Sequence, residues 1–455
     1  MKLTNDLGSD NIRDLVFSLA MPSMIAQFVS VLYSIVDRMY IGNIEGIGEI
    51  ALAGVGVCGP IVTMISALAL LVGMGGGPLV SIRLGAKRED EAENILSTCF
   101  IFLTVLAATA MAAAFILKDR LLWWFGASEA TFPYADEYIT FYLSGTVFAI
   151  LATGMNSFIT CQGYSKVGMR SVVIGAVLNI ILDPIFIFVF HMNVAGAAIA
   201  TVLSQLASCI YVLSFLFSDK PALRIRIRKP ELKIIGNVCL VGFTPFLIIA
   251  FDNVMLIALN SMITKYGSGA RGDMLLTCNA ILQSFMLIIT MPLSGITGGA
   301  QAILGYNYGA RRPDKIKRAQ RWILFIGLVF CTTMFLIAQL IPQYFIMIFT
   351  REPEYIEMTR RIIRMYSLAV PLLAVQYTIV DGFTAMGVFK YAFFLSGARK
   401  VAFFIAVFTI PTMFDVINIF YSEPISDTFG PFVTVLFYLT VGRRMLKKLG
   451  EPVST

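Results

Sequence analysis

The chain carries one plan twice. Gly85-Ala86-Lys87-Arg88-Glu89-Asp90 returns 224 positions later as Gly309-Ala310-Arg311-Arg312-Pro313-Asp314. The same offset pairs Gly75 with Gly299, Phe125 with Phe349, Tyr142 with Tyr366 and Gly163 with Gly387. A register kept over so long a stretch predicts two structurally equivalent halves, each a multi-element unit.

The solvent of those halves follows from composition. Of 455 residues, 58% are hydrophobic and 14% charged, with a mean hydropathy of +0.80. Soluble domains carry roughly 25% charged residues, so much of this surface is suited to a bilayer. Apolar runs near the ~20 residues needed to cross a hydrocarbon core recur at 14–40, 52–82, 95–117, 138–160, 171–191, 195–217, 236–263, 275–304, 322–348, 366–388, 393–414 and 429–446. The fold expected is an all-α integral membrane protein. Twelve transmembrane helices form two pseudo-symmetric six-helix bundles, residues 1–217 and 236–455, joined by a basic linker at 218–235. Six spans per half insert both copies in the same direction, so the repeat is parallel. The second and eighth spans are long and glycine-rich, which predicts tilt or bending.

Basic residues set the orientation. Arg83, Lys87 and Arg88, then Lys166 and Arg170, the linker's Arg224, Arg226, Arg228, Lys229 and Lys233, and the tail's Arg443, Arg444, Lys447 and Lys448 all fall on one side. The 305–321 loop adds six more, whereas the last loop on the other side, 415–428, is acidic and has none. Both termini are therefore expected in the cytoplasm, at the plasma (inner) membrane. This asymmetry accounts for the net charge of +7 without a nucleic-acid partner. The polar N-terminal residues offer no cleavable signal. The seven scattered cysteines read as packing residues, not disulfides or metal ligands. The alternating arginines of the linker read as a solvated strap near anionic headgroups.

Ionisable groups at membrane depth are costly and are usually functional or paired. Asp183 is the sharpest: it follows Asn179 by one helical turn and precedes Pro184. The proline removes a backbone donor and loosens a carbonyl, which leaves an oxygen-rich pocket fit for a hard monovalent cation or a proton. The alternative is a structural aspartate capping the local backbone. Asp37, near the end of the first span, is either a site residue or a marker of the interface. Pro22 and Pro245 occupy matching places in spans one and seven and predict bendable helices or simple packing kinks. In the second half Asn260 falls opposite Asp37, and Asp252, Gln376 and Asp381 form a possible polar site. Asp381 is expected to pair with Arg399 or Lys400, since buried cations need partners.

This set resembles the MATE family of multidrug and toxin extrusion transporters, in a group that includes lipid-linked oligosaccharide flippases. The resemblance spans the chain. It rests on the duplicated plan, on Val36-Asp37-Arg38-Met39-Tyr40-Ile41-Gly42, on the glycine-rich run into Arg83-Leu84-Gly85-Ala86-Lys87, on Leu178-Asn179 through Asp183-Pro184, and on Gly196-Ala197-Ala198-Ile199-Ala200-Thr201. It is nearest the bacterial branch similar to staphylococcal multidrug exporters. The resemblance implies a cation site of Asp37, Asn179, Asp183 and Thr201, a bending proline at Pro22, and a monomer embedded in lipid. It further implies alternating access that exports amphipathic, cationic small molecules in exchange for H+ or Na+, with no other cofactor. Asp252 lies near an acid that sodium-binding members carry in their second half, but Asp381 is displaced from the other.

Two other classes compete. A flippase for a lipid-linked oligosaccharide or peptidoglycan precursor needs several basic groups at mid-depth, and only Arg399 and Lys400 qualify. An enzyme lacks support: there is one histidine, His191, no His/Cys cluster and no Ser/His/Asp set.

Overall fold

The computed structural model describes residues 6–267 and 269–451. Among them every regular element is helical. In the first half these are α1 (Ile12–Gly42), α2 (Gly48–Gly85), α3 (Glu89–Trp124), α4 (Phe132–Ser144), α5 (Thr146–Thr160), α6 (Ser165–Pro184) and α7 (Asn193–Phe217). The second half has α8 (Leu232–Tyr266), α9 (Ala270–Gly309), α10 (Pro313–Leu340), α11 (Pro342–Ile346), α12 (Pro353–Tyr366), α13 (Val370–Ala385), α14 (Phe389–Met413), α15 (Ser422–Phe437) and α16 (Arg443–Leu449). Ten helical stretches are long and apolar enough to cross a membrane. The bent pairs α4–α5 and α12–α13 raise this to twelve if each pair is one span.

The repeat is visible in backbone detail. Lys87 and Arg311, one offset apart, both adopt left-handed conformations, with φ of 60° and 55°. Gly163 and Gly387, at the same offset, have φ of 89° and 75°. The Arg88 amide donates to the Arg83 carbonyl at 2.9 Å, and the Arg312 amide to the Asn307 carbonyl at 2.9 Å. The duplicated Gly-Ala-Lys/Arg-Arg motif is thus a helix stop in which a left-handed residue lets the chain satisfy the last carbonyls of α2 and α9. The bends repeat as well, at 57° beside Gly145 and 47° around Ala369. Gly145 is a weak helix former, and Pro371 lacks the amide that would continue α12 into α13.

The helices pack as two compact units, one built on Ile25–Phe246 and the other on Gly8–Met24 with Leu247 onward. These boundaries lie inside α1 and α8, just after Pro22 and Pro245. A cut by sequence at the linker would leave those leading segments with their own halves. The first unit closes over Leu96, Leu103, Ile139, Leu143 and Phe158, the second over Leu282, Ile289, Ile362, Phe403 and Phe420. Glycines seat the leading segments. A Cβ on Gly75 would come within 2.3 Å of the Val238 carbonyl oxygen, and one on Gly242 within 1.8 Å of that of Leu71. In the other unit a Cβ on Gly299 would meet Ser23 Oγ at 2.5 Å and the Leu19 carbonyl at 2.8 Å. The paired Gly75 and Gly299 therefore make the same close helix contact in each unit.

Three expectations are corrected. The ninth span does not run to 348: α10 ends at Leu340, where Pro342 forbids continuation, and a short α11 follows. The acidic 415–428 segment is not a loop. Val416–Tyr421 forms a 3-10 turn and α15 starts at Ser422, so Glu423 and Asp427 are buried inside the second unit. Asp415 begins that turn by accepting from the Ile417 amide at 3.1 Å, and it pairs with Arg271 at 2.8 Å. That amide and then Arg271 hold its carboxyl below the ordinary range. Third, the linker is not simply solvated. Leu223 and Ile225 are buried, the Leu223 amide donates to Gln162 Oε1 at 2.8 Å, and the Arg226 amide to Ser97 Oγ at 3.0 Å. Glu93, itself buried, holds Arg226 at 2.7 Å and Arg228 at 3.5 Å.

Two tests follow from this geometry. Lys87→Gly and Arg311→Gly, which remove a left-handed strain of roughly 1 kcal/mol each, raise the melting temperature of detergent-solubilised protein, while Lys87→Val lowers it. Lower melting in both glycine variants would contradict the helix-stop assignment. Glu93→Gln, by releasing the strap, speeds tryptic cleavage after Arg226 and Arg228 in folded protein. Unchanged cleavage means that Glu93 does not hold the linker.

Candidate functional site

In the first unit α6 and α7 bring the sequence-predicted polar residues together. Asn179 and Asp183 are both buried on one face of α6. Pro184 closes that helix, and the chain runs on through the wider turn of Ile185–Val189. Glycines set the spacing of the two helices. A Cβ on Gly175 would meet Ser208 Oγ at 2.4 Å, and one on Gly196 would come within 2.8 Å of the Phe186 backbone. With the helices this close, Thr201 of α7 reaches Asn179.

The Asn179 amide is fully used as a donor. Its Nδ2 gives hydrogen bonds to Asp183 Oδ1 at 3.0 Å and to Thr201 Oγ1 at 3.3 Å. This fixes which way the amide points: its Oδ1 is turned away from both partners. Asp37, from the part of α1 in this unit, places its carboxyl within hydrogen-bonding reach of the Asp183 carboxyl. Asp37 makes no ion pair with Arg38, which is exposed, among the described residues. Three oxygens are buried without a hydrogen-bond partner: Asp37 Oδ1, Asn179 Oδ1 and Asp183 Oδ2. Two are carboxylate oxygens and none is a donor, so the set is chemically matched to a proton or a small hard cation.

An aromatic wall borders the pair. Tyr33 lies close to both aspartates and Tyr138 close to Asp37. Tyr138 stacks on Tyr142 at 6.0 Å between centroids, and the Tyr142 side chain is within hydrogen-bonding reach of Gln205. Tyr33, Tyr138 and Gln205 do not stand out in the sequence, and Tyr142 does so only as a repeat position opposite Tyr366. The signal available was helical spacing: Tyr33 precedes Asp37, and Tyr138 precedes Tyr142, by one turn.

The equivalent place in the second unit is chemically different. Positions 224 after Asn179, Asp183 and Thr201 hold Phe403, Val407 and Ile425. Asn260 stands opposite Asp37, accepting from Asn279 Nδ2 at 2.8 Å, and Gln283 extends this neutral chain to Asn279 Oδ1 at 3.3 Å and the Tyr366 hydroxyl at 3.5 Å. The structure does not bring Asp252, Gln376 and Asp381 together as direct partners. Asp252 pairs with Lys400, Gln376 accepts from Thr434 Oγ1 at 2.7 Å, and Asp381 accepts from Thr297 Oγ1 at 2.5 Å. The expected pairing of Asp381 with Arg399 or Lys400 is therefore not formed. Arg399 is taken by Glu423 at 2.6 Å and Asp427 at 2.7 Å, carboxylates hidden in what reads as an outer loop. No group of three or more His, Cys, Asp or Glu arranged for a metal ion occurs among the described residues.

Comparison with known proteins agrees with this architecture. The chain is 23% identical over 437 residues to the multidrug export protein MepA of Staphylococcus aureus, covering 95% of this chain and 94% of that protein. Its fold matches an outward-facing multidrug resistance MATE family transporter of the MOP superfamily, with a TM-score of 0.89 at 22% identity over 97% of both chains. It also matches a MOP superfamily transporter from Pyrococcus furiosus, with a TM-score of 0.90 at 22% identity over 98% of both. The MatE family model matches residues 22–185 and again 247–412, once in each half. The chain, a multi-pass membrane protein, belongs to the MatE family.

Proposed function

We propose that this protein is a secondary active antiporter that exports amphipathic, cationic small molecules in exchange for H+ or Na+ by alternating access. The observation that carries this reading is the Asp37–Asp183 pair, whose two unpartnered carboxylate oxygens lie beside the unpartnered Asn179 Oδ1. Two carboxylates facing each other away from water repel strongly. A shared proton or a bound cation removes that repulsion, so ion occupancy changes the stability of any arrangement that joins α1 to α6. Coupling of this kind is reciprocal: an ion that favours one arrangement is released by whatever favours the other. Asn179 and Thr201 are assigned to orient the Asp183 carboxyl, and Pro22 to the bend through which α1 responds.

The multidrug export named for the staphylococcal relative supports the substrate class. The flippase alternative loses its main support. Arg399 and Lys400, the two basic groups available to an anionic headgroup, are each neutralised within the second unit by Glu423, Asp427 and Asp252. In this scheme residues 1–217 and 236–455 act as the two lobes, 218–235 joins them, and both termini face the cytoplasm.

The test is export of a fluorescent organic cation from vesicles under an imposed ion gradient. Asp37→Asn and Asp183→Asn each lower gradient-driven export by about tenfold or more, while Asn179→Ala gives a smaller loss. Wild-type export by both aspartate variants would overturn the ion-site assignment.

A further inference from the structure

We propose that Glu423, Asp427 and Arg399 form a second proton-binding site, inside the second unit, whose exchangeable proton is carried by the Glu423 or Asp427 carboxyl. The site uses none of the residues assigned above to ion coupling, and it goes beyond the proposed function.

The site is built by one face of α15. Glu423, Asp427 and Gly430 follow one another at helical spacings of four and three, so they share a stripe. Gly430 makes the room: a Cβ there would meet Arg399 Cβ at 2.9 Å. Arg399 of α14 lies along that bare face, and its backbone carbonyl accepts from Ser426 Oγ of α15 at 2.8 Å, which ties the two helices together. Its Nη2 reaches Glu423 Oε1 at 2.6 Å and its Nε reaches Asp427 Oδ1 at 2.7 Å. The three side chains are 14%, 9% and 1% exposed.

Charge does not balance in this arrangement. One guanidinium faces two carboxylates, and the neighbouring ammonium, Lys400, is already held by Asp252 and by the Ile248 carbonyl at 3.0 Å. Among the described residues no cation other than Arg399 is bonded to either carboxylate. Tyr366 of α12 lies near Glu423 and Tyr377 of α13 near Arg399, Asp427, Asp252 and Asp381, while Cys331 of α10 lies near Asp427. These groups are neutral or acidic. The uncompensated charge has an identifiable seat as well, since Glu423 Oε2 is buried without a hydrogen-bond partner. An unpaired carboxylate oxygen shielded from water is strongly disfavoured. A proton taken up there leaves one guanidinium against one carboxylate. A neutral hydrogen-bonded chain of Asn260, Asn279 and Gln283 ends at the Tyr366 hydroxyl near Glu423 and adds no charge to the site.

Infrared difference spectra between acid and alkaline buffer test this on the purified full chain in lipid nanodiscs. The background is Asp37→Asn/Asp183→Asn, so the readout depends neither on the first site nor on export. A band of a protonated buried carboxyl is expected. It loses about one group's amplitude in Glu423→Gln, which is isosteric and keeps the Asp427–Arg399 bond, and it shifts or falls in Asp427→Asn. Added Na+ leaves the band unchanged. The proposal is overturned if the spectra of whichever of these two variants folds match the background, or if Na+ abolishes the band.

Discussion

A charge buried among apolar helices has to be balanced where it sits, and that requirement organises both units of this protein. Water is not at hand to screen it, and moving it costs several kcal/mol at least. In the first unit Asp183 meets a second acid, Asp37, with no basic side chain bonded to either. In the second unit Glu423, Asp427 and Asp252 each bond to a basic side chain, and Asp381 to a hydroxyl. In the proposed function the first arrangement is completed by a mobile ion, while the second is mostly completed by the chain itself. The same fold, built twice, thus carries two solutions to one electrostatic problem.

The duplicated sequence elements serve geometry instead. Lys87 and Arg311 end long helices in the left-handed conformation, Gly163 and Gly387 do the same further on, and Gly75 and Gly299 admit a leading helix segment at backbone contact. None of these positions touches the buried acids by hydrogen bond or ion pair. The polar set has diverged: Asn179, Asp183 and Thr201 stand opposite Phe403 and Val407, both buried, and the exposed Ile425. The scaffold is thus retained in both copies, while the polar side chains proposed to hold an ion stand in the first copy alone.

Much of this was legible in the chain and some was not, for physical reasons. Apolar length predicts the spans well because hydrocarbon thickness imposes it. Asn179 and Asp183 were legible because four-residue spacing on a helix is a local property. Thr201 and Asp37 come from other helices, so their proximity depends on packing that no periodicity encodes; the family resemblance supplied it. The burial of Glu423 and Asp427 is not legible, since Ser-Glu-Pro-Ile-Ser-Asp looks like an exposed turn until Arg399, 24 and 28 residues earlier, is seen to bond to both. Sharing that guanidinium lowers the cost of burying them. Asp381 shows the complementary case: its position calls for a cation, but a hydroxyl, that of Thr297, is its bonded partner.

The central claim is that the Asp37–Asp183 carboxyl pair is where ion and substrate movements are linked. Reciprocity allows the most direct measurement: a gradient of organic cation alone, imposed across proteoliposomes that hold the purified protein and a pH- or sodium-sensitive dye. The account predicts that substrate flow drives H+ or Na+ in the opposite direction in the wild type, and that Asp183→Asn abolishes this ion counterflow. Undiminished counterflow in the variant would contradict it.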